Sequence, residues 1–157
     1  MITKKPEKMI KFLIDTSVWS EALRRKDKSL DSSETLVRRI IENDDEIVII
    51  GIILQEILSG IINKELFAEI ETILNDFSYI DIVKKDYIYA AELRNRCKQK
   101  GITAGSFDFL IASAAIRNKL TLVTYDKDFM NISKYTDLKI LDEKKYLNLE
   151  NDAGKNR

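Results

Sequence analysis

Short apolar runs alternate along this chain with segments of helical periodicity, and that alternation limits the fold more than any other feature. Phe12–Ile14 is uniformly apolar and too brief for an amphipathic helix, so it reads as a buried strand. Glu46–Ile50, Tyr79–Val83, Leu120–Thr124 and Leu138–Leu141 read as further strands. Between them, Val18–Leu23 is expected to be helical, with Thr16 or Ser17 as its cap. Leu36, Val37, Ile40 and Ile41 recur at helical spacing up to about Asn43. Ile52–Leu58 reads as a helix between Gly51, which breaks the second strand, and Gly60. Leu66, Phe67, Ile70, Ile73, Leu74 and Phe77 mark an amphipathic helix. Tyr87–Lys100 forms another, ended by Gly101, and the stripe Phe107, Leu110, Ile111, Ala114 and Ala115 a further one opening at Gly105-Ser106. Strands that alternate with helices from start to end indicate an α/β domain built on a parallel sheet.

At 157 residues the chain fits one domain, 1–157, with a core over about 10–142. Met1–Lys8 reads as a loose polar lead-in, and the polar tail from 148 to 157 as frayed. Hydrophobic residues make up 45% and charged residues 33%, which indicates a globular fold rather than disorder. Lys+Arg and Asp+Glu both number 26, so net charge argues neither for nor against a nucleic-acid partner. A neutral sum can hide a basic face beside an acidic pocket. No apolar run suits a secretory signal, and Ile47–Leu54 is too short to span a bilayer. No membrane segment is expected, and a cytoplasmic setting fits the single cysteine, Cys97, which falls at helical spacing with Ala90 and Leu93.

The chain has no histidine. The commonest general base and the commonest metal ligand are therefore missing, and catalysis must draw on carboxylates, lysines, hydroxyls or a bound ion. Four acids occupy comparable places. Asp15 ends the first strand, Glu56 lies in the helix after the second, Asp108 lies in the first turn of the helix opening at Ser106, and Asp126 follows the strand Leu120–Thr124. In a parallel sheet all strand C-termini share one edge, where ligands bind. Asp15, Glu56 and Asp126 reach that edge by topology; Asp108 does so only if its helix also starts there. Each acid has an ordinary alternative. Asp15 and Asp126 suit caps or turns, and Glu56 and Asp108 suit the positive ends of helices. Together, however, packed carboxylates repel unless a cation neutralises them. Oxygen ligands without histidine point to a hard ion, magnesium (Mg²⁺) or manganese (Mn²⁺). Such a site suits metal-assisted attack of water on a phosphodiester.

The chain resembles the PIN-domain ribonucleases, and more narrowly the VapC-type toxins of toxin–antitoxin pairs. The resemblance lies in Leu13-Ile-Asp15-Thr-Ser-Val-Trp19, Gln55-Glu56-Ile-Leu-Ser-Gly60, Phe107-Asp108-Phe-Leu-Ile-Ala112-Ser-Ala-Ala115 and Leu122-Val-Thr124-Tyr-Asp126-Lys-Asp128-Phe129, in that order along the chain. It implies a three-layer α/β/α sandwich with a central parallel sheet and Mg²⁺-dependent endoribonuclease activity. Asp15, Glu56 and Asp108 match the family's three core acids, and Asp126 the more variable fourth, with Asp128 close enough to compete. These same acids would be catalytic and hold the metal. The implied partners are an RNA substrate, a cognate antitoxin and a second copy of the chain in a homodimer. A departure lies at Gly51-Ile-Ile53, where many relatives place a small hydroxyl residue. The resemblance also suggests an antitoxin tail that presents an arginine or lysine to the acids.

Other readings share parts of this pattern. A PIN nuclease of RNA maturation would use the same chemistry, and a non-catalytic PIN-like module would bind RNA or protein. An aspartyl-nucleophile phosphatase at Asp15 would need an acid where Ser17 stands, and no glycine-rich phosphate loop is present. Trp19 is either core packing or an exposed anchor for an antitoxin or a second subunit. Arg94, Arg96, Lys98 and Lys100 form either a solvated helix face or a phosphate-binding one, and Arg24, Arg25 and Lys26 carry the same two readings.

Overall fold

The computed structural model describes residues 9–24 and 36–154. Five strands form one sheet: β1 (Lys11–Ile14), β2 (Glu46–Ile50), β3 (Ser78–Ile80), β4 (Thr121–Val123) and β5 (Lys139–Ile140). Their order is β3-β2-β1-β4-β5, and every pairing is parallel. The helices are α1 (Thr16–Arg24), α2 (Leu36–Glu42), α3 (Gly51–Ser59), α4 (Lys64–Asn75), α5 (Lys84–Gln99), α6 (Ser106–Arg117), α7 (Lys127–Ser133) and α8 (Glu143–Gly154).

The strand order explains the layers. From β1 the chain steps to β2 and β3 in one direction, then returns to β4 and continues to β5 on the other side. Right-handed crossovers place the helices of the first excursion on one face and those of the second on the other. The contacts agree: α1 packs on α2 and α3, α3 on α4, while α5 packs on α6 and α6 on α7. The result is the expected three-layer α/β/α sandwich. The order reverses between β1 and β4, so a crevice opens at the C-terminal ends of those two strands.

The central strands are covered on both faces. Phe12, Leu13 and Ile14 are fully buried, as are Ile50 and Leu122, and all belong to one continuous core. Cys97 lies in that core as expected. Trp19 is only 2% exposed and its ring lies 5.5 Å from that of Phe77. The antitoxin-anchor reading of Trp19 is therefore corrected: the side chain is spent on packing.

Several boundaries differ from the sequence reading. The first helix begins at Thr16, so neither Thr16 nor Ser17 is its cap; the Asp15 carbonyl accepts from the Val18 and Trp19 amides. Gly51 opens α3 rather than separating it from β2. The segment 143–154 is helical where a frayed tail was expected from residue 148. Tyr146 ties α8 down: its ring meets Phe12 edge-on at 5.7 Å, and its hydroxyl donates to Asp45 at 2.9 Å and accepts from Asn43 at 2.8 Å. Arg25, Lys26 and the lead-in Met1–Lys8 lie outside the described residues, as does the Arg24 side chain.

A buried acid fastens α5 to α6. Asp86 is 1% exposed and pairs with the Arg117 guanidinium. Its other carboxylate oxygen accepts from the Val83 amide at 2.8 Å, and its backbone carbonyl accepts from the Ser113 hydroxyl at 2.8 Å. Arg117→Met leaves that carboxylate buried without its cation, and is expected to cost about 1.5–3 kcal/mol. Urea unfolding of the two proteins checks this. A loss below about 0.5 kcal/mol would match an ordinary surface substitution instead.

Candidate active site

Asp15 sits directly after β1 and is 6% exposed. Its amide extends the sheet ladder by donating to the Val123 carbonyl at 2.9 Å. One carboxylate oxygen, Oδ2, accepts two hydroxyls: Ser17 at 2.8 Å and Thr124 at 2.9 Å. Burial of a carboxylate is costly unless it is hydrogen-bonded, and these two donors meet that need. The same hydroxyls position the neighbouring loop. Ser17 Oγ accepts from the Tyr125 amide at 3.2 Å, and Thr124 Oγ1 accepts from the Asp126 amide at 3.0 Å. A hydroxyl network thus stitches the ends of β1 and β4 together across the crevice.

Asp126 caps α7, with Oδ1 accepting from the Asp128 amide at 2.9 Å. The ordinary capping role is real, and it also fixes the carboxylate at the crevice. Asp108 lies in the first turn of α6, and its Oδ2 accepts from the Gly105 amide at 2.9 Å. A Cβ at Gly105 would come within 3.1 Å of that oxygen, so the glycine keeps the approach clear. Asp108 is thereby aimed back at its own helix start.

The charges of these acids are felt in common. Burial pushes the Asp108 carboxyl above its ordinary value, the Gly105 hydrogen bond partly offsets this, and Asp126, Asp128 and Asp15 raise it further. The structure therefore brings Asp15, Asp108, Asp126 and Asp128 into one electrostatic neighbourhood. Asp126 and Asp128 both belong to it. Glu56 is exposed on α3, in the other helical layer, and its Oε2 accepts from the Thr16 hydroxyl at 2.6 Å. Because Thr16 adjoins Asp15, Glu56 flanks the group from the far side.

The donor set is carboxylates and hydroxyls, which suits a hard divalent cation. The mutual repulsion felt at Asp108 is the charge excess that such an ion neutralises. Among the described residues, however, no three acidic side chains stand close enough to form a ready-made cage. The fit is one of charge and donor type, and the side chains would have to draw together around an ion. Sequence reasoning missed Thr124 and mistook Thr16 and Ser17 for caps. The available signal was that hydroxyls adjoin the acids at the ends of both central strands, in Asp15-Thr-Ser17 and Thr124-Tyr-Asp126.

A doubly excursive parallel sheet with acids gathered where its strand order reverses defines a class of α/β domain. The PIN domain model matches residues 12–135, and the chain belongs to the PIN-domain family. Within that family it is similar to VapC ribonucleases. VapC ribonuclease Mb1587 of Mycobacterium bovis is 33% identical over 129 residues, covering 80% of this chain and 94% of that protein. Ribonuclease VapC2 of Rickettsia felis is 29% identical over 126 residues, covering 77% and 91%. The crystal structure of VapBC2 from Rickettsia felis, bound to a DNA fragment from its promoter, superposes with a TM-score of 0.67 at 26% identity, over 84% of this chain and 98% of that one. DNA-bound VapBC from Salmonella typhimurium gives a TM-score of 0.68 at 22% identity over 85% and 98%, which shows the shared fold.

Proposed function

We propose that this chain is a metal-dependent endoribonuclease that hydrolyses RNA phosphodiester bonds, acting in the cytoplasm as the toxin of a toxin–antitoxin pair. The observation that carries the reading is the shared charge of Asp15, Asp108, Asp126 and Asp128 at the switch point of the sheet. The similarity to proteins named VapC ribonuclease supports the substrate class, and the VapBC complexes support a cognate antitoxin as partner. A homodimer is part of the same proposal.

Asp15, Glu56, Asp108 and Asp126, with Asp128 as the alternative fourth acid, are the residues that would hold Mg²⁺ or Mn²⁺. When bound, the ion supplies charge neutralisation and a water of lowered pKa for attack at phosphorus. The chain's own residues do the positioning. Ser17 and Thr124 hold Asp15 in place, Gly105 holds Asp108, and Thr16 holds Glu56. No side chain need form a covalent intermediate. In the antitoxin-bound state, a cation presented to these acids would occupy the same charge excess.

The open spacing of the acids is the one observation that favours a non-catalytic RNA- or protein-binding module. Incubation of the purified chain with labelled RNA, with Mg²⁺ and with EDTA, separates the two. Cleavage abolished by chelator supports the nuclease; no cleavage under Mg²⁺ or Mn²⁺ selects the binding module. A companion measurement needs no substrate. At 100-fold excess over its dissociation constant, Mg²⁺ is expected to stabilise the folded chain by about 2.7 kcal/mol. The rise in melting temperature should be much smaller in Asp15→Asn. Equal rises in both proteins would place the ion elsewhere.

A further inference from the structure

A groove of about 320 Å³ opens between α5 and α6, lined on α6 by Phe107 and Phe109, the chain neighbours of Asp108. That volume is at the lower end of small-ligand sites. The small side chain of Ala90 and the edge of Leu110 line it, and Tyr87 and Phe107 stand on its two sides. Both rings are held out in water: Tyr87 is 57% exposed and Phe107 62%. Arg94 and Asn95 supply the polar lining. Arg94 makes no ion pair among the described residues. The two helices forming the groove are joined by the Asp86–Arg117 pair and by the Ser113 hydroxyl, which donates to the Asp86 carbonyl. Phe107 immediately precedes Asp108 in the first turn of α6, so the groove and the acid share one helix start.

We propose that this groove is a nucleobase subsite: one unpaired RNA base lies against Phe107 and Tyr87, Asn95 meets its polar edge, and Arg94 takes the adjoining phosphate. The proposal rests on the nuclease reading and deepens it by locating where a base of the substrate is held. Exposed aromatic faces offer stacking to bases that are free of a duplex, and paired bases cannot present their faces in this way. Charge complementarity points the same way. The acids repel a phosphate backbone, and Arg94 is the cation nearest in the groove's lining, with Arg96, Lys98 and Lys100 exposed further along the same helix and its end.

The test is fluorescence anisotropy in EDTA, where binding is separated from cleavage. The probes are a labelled ten-nucleotide single-stranded RNA of randomised sequence and a ten-base-pair RNA duplex. Phe107→Ala is expected to weaken single-strand binding about 5- to 100-fold, the range contributed by one stacked base. Phe107→Tyr should keep it, and duplex binding should not change. Arg94→Gln should reduce the salt dependence by about 0.7 in log–log slope, as for one lost phosphate contact. Unchanged affinity in Phe107→Ala, equal losses for single strand and duplex, or no binding by the wild type would overturn the subsite. So would a Phe107→Ala protein that elutes from size exclusion as a smaller species than wild type, since the groove would then be an interface between copies of the chain. The nuclease reading fails separately: a wild type that binds through Phe107 but cleaves nothing with Mg²⁺ or Mn²⁺ keeps the groove and loses the activity.

Discussion

Replacing Asp108 by asparagine is expected to lower RNA cleavage by about 10³-fold, the scale on which a preorganised charge at a reacting centre matters. The fold should survive. Asparagine keeps an oxygen able to accept from the Gly105 amide, so the first turn of α6 retains its bond. The metal-free protein should in fact become more stable at neutral pH. In the folded chain, burial and the charges of Asp126, Asp128 and Asp15 raise the Asp108 carboxyl above its ordinary 3.8. A raised acid binds its proton more tightly when folded than when unfolded, so the folded state loses stability as pH rises through that window. The advantage of Asp108→Asn should therefore be full above the raised folded value and vanish below the ordinary one. Melting curves across pH in EDTA, together with an RNA cleavage assay, check both halves. Full activity in the folded mutant would remove Asp108 from the chemistry.

Trp19→Ala is expected to cost about 3–5 kcal/mol, the range for truncating a buried large aromatic. For a chain of this size that corresponds to a fall in melting temperature of about 6–20 °C. The reason is geometric: Trp19 is almost wholly enclosed and packs on Phe77, which leads into β3, so its loss opens a cavity between α1 and the sheet edge. Thermal unfolding followed by circular dichroism measures the effect. A loss under about 1 kcal/mol would show that the surroundings of Trp19 collapse to fill the space its ring leaves.

The parallel sheet was legible because its inner strands are buried on both faces, which leaves runs such as Phe12–Ile14 and Ile47–Ile50 with no polar side to blur them. Asp15 and Asp126 were legible for the same reason, since each adjoins the end of such a run. Asp108 was not placed by pattern. Its helix follows α5 rather than a strand, so only the long crossover from β3 to β4 brings its first turn to the crevice, a condition that the sequence pattern left open. Helix α8 was missed because its apolar residues, Tyr146, Leu147, Leu149 and Ala153, are sparse among charged and amide side chains; tertiary contacts of Tyr146 hold it instead. Helix α7 is seven residues long, too short for periodicity to declare itself beyond Phe129 and Ile132.

The bond from Thr124 to Asp15 joins residues 109 apart in the chain. Seen from the ribosome, the first acid emerges long before the hydroxyl that orients it. At ordinary rates of synthesis the interval is on the order of 5–20 s. For most of it the strand carrying Asp15 has its β2 neighbour available but not β4, and Asp108 and Asp126 are not yet parts of a folded crevice. A nascent or truncated chain ending before β4 therefore carries the beginning of the site without its function. The crevice is therefore completed late and in one step, only once β4 has been made and has paired with β1.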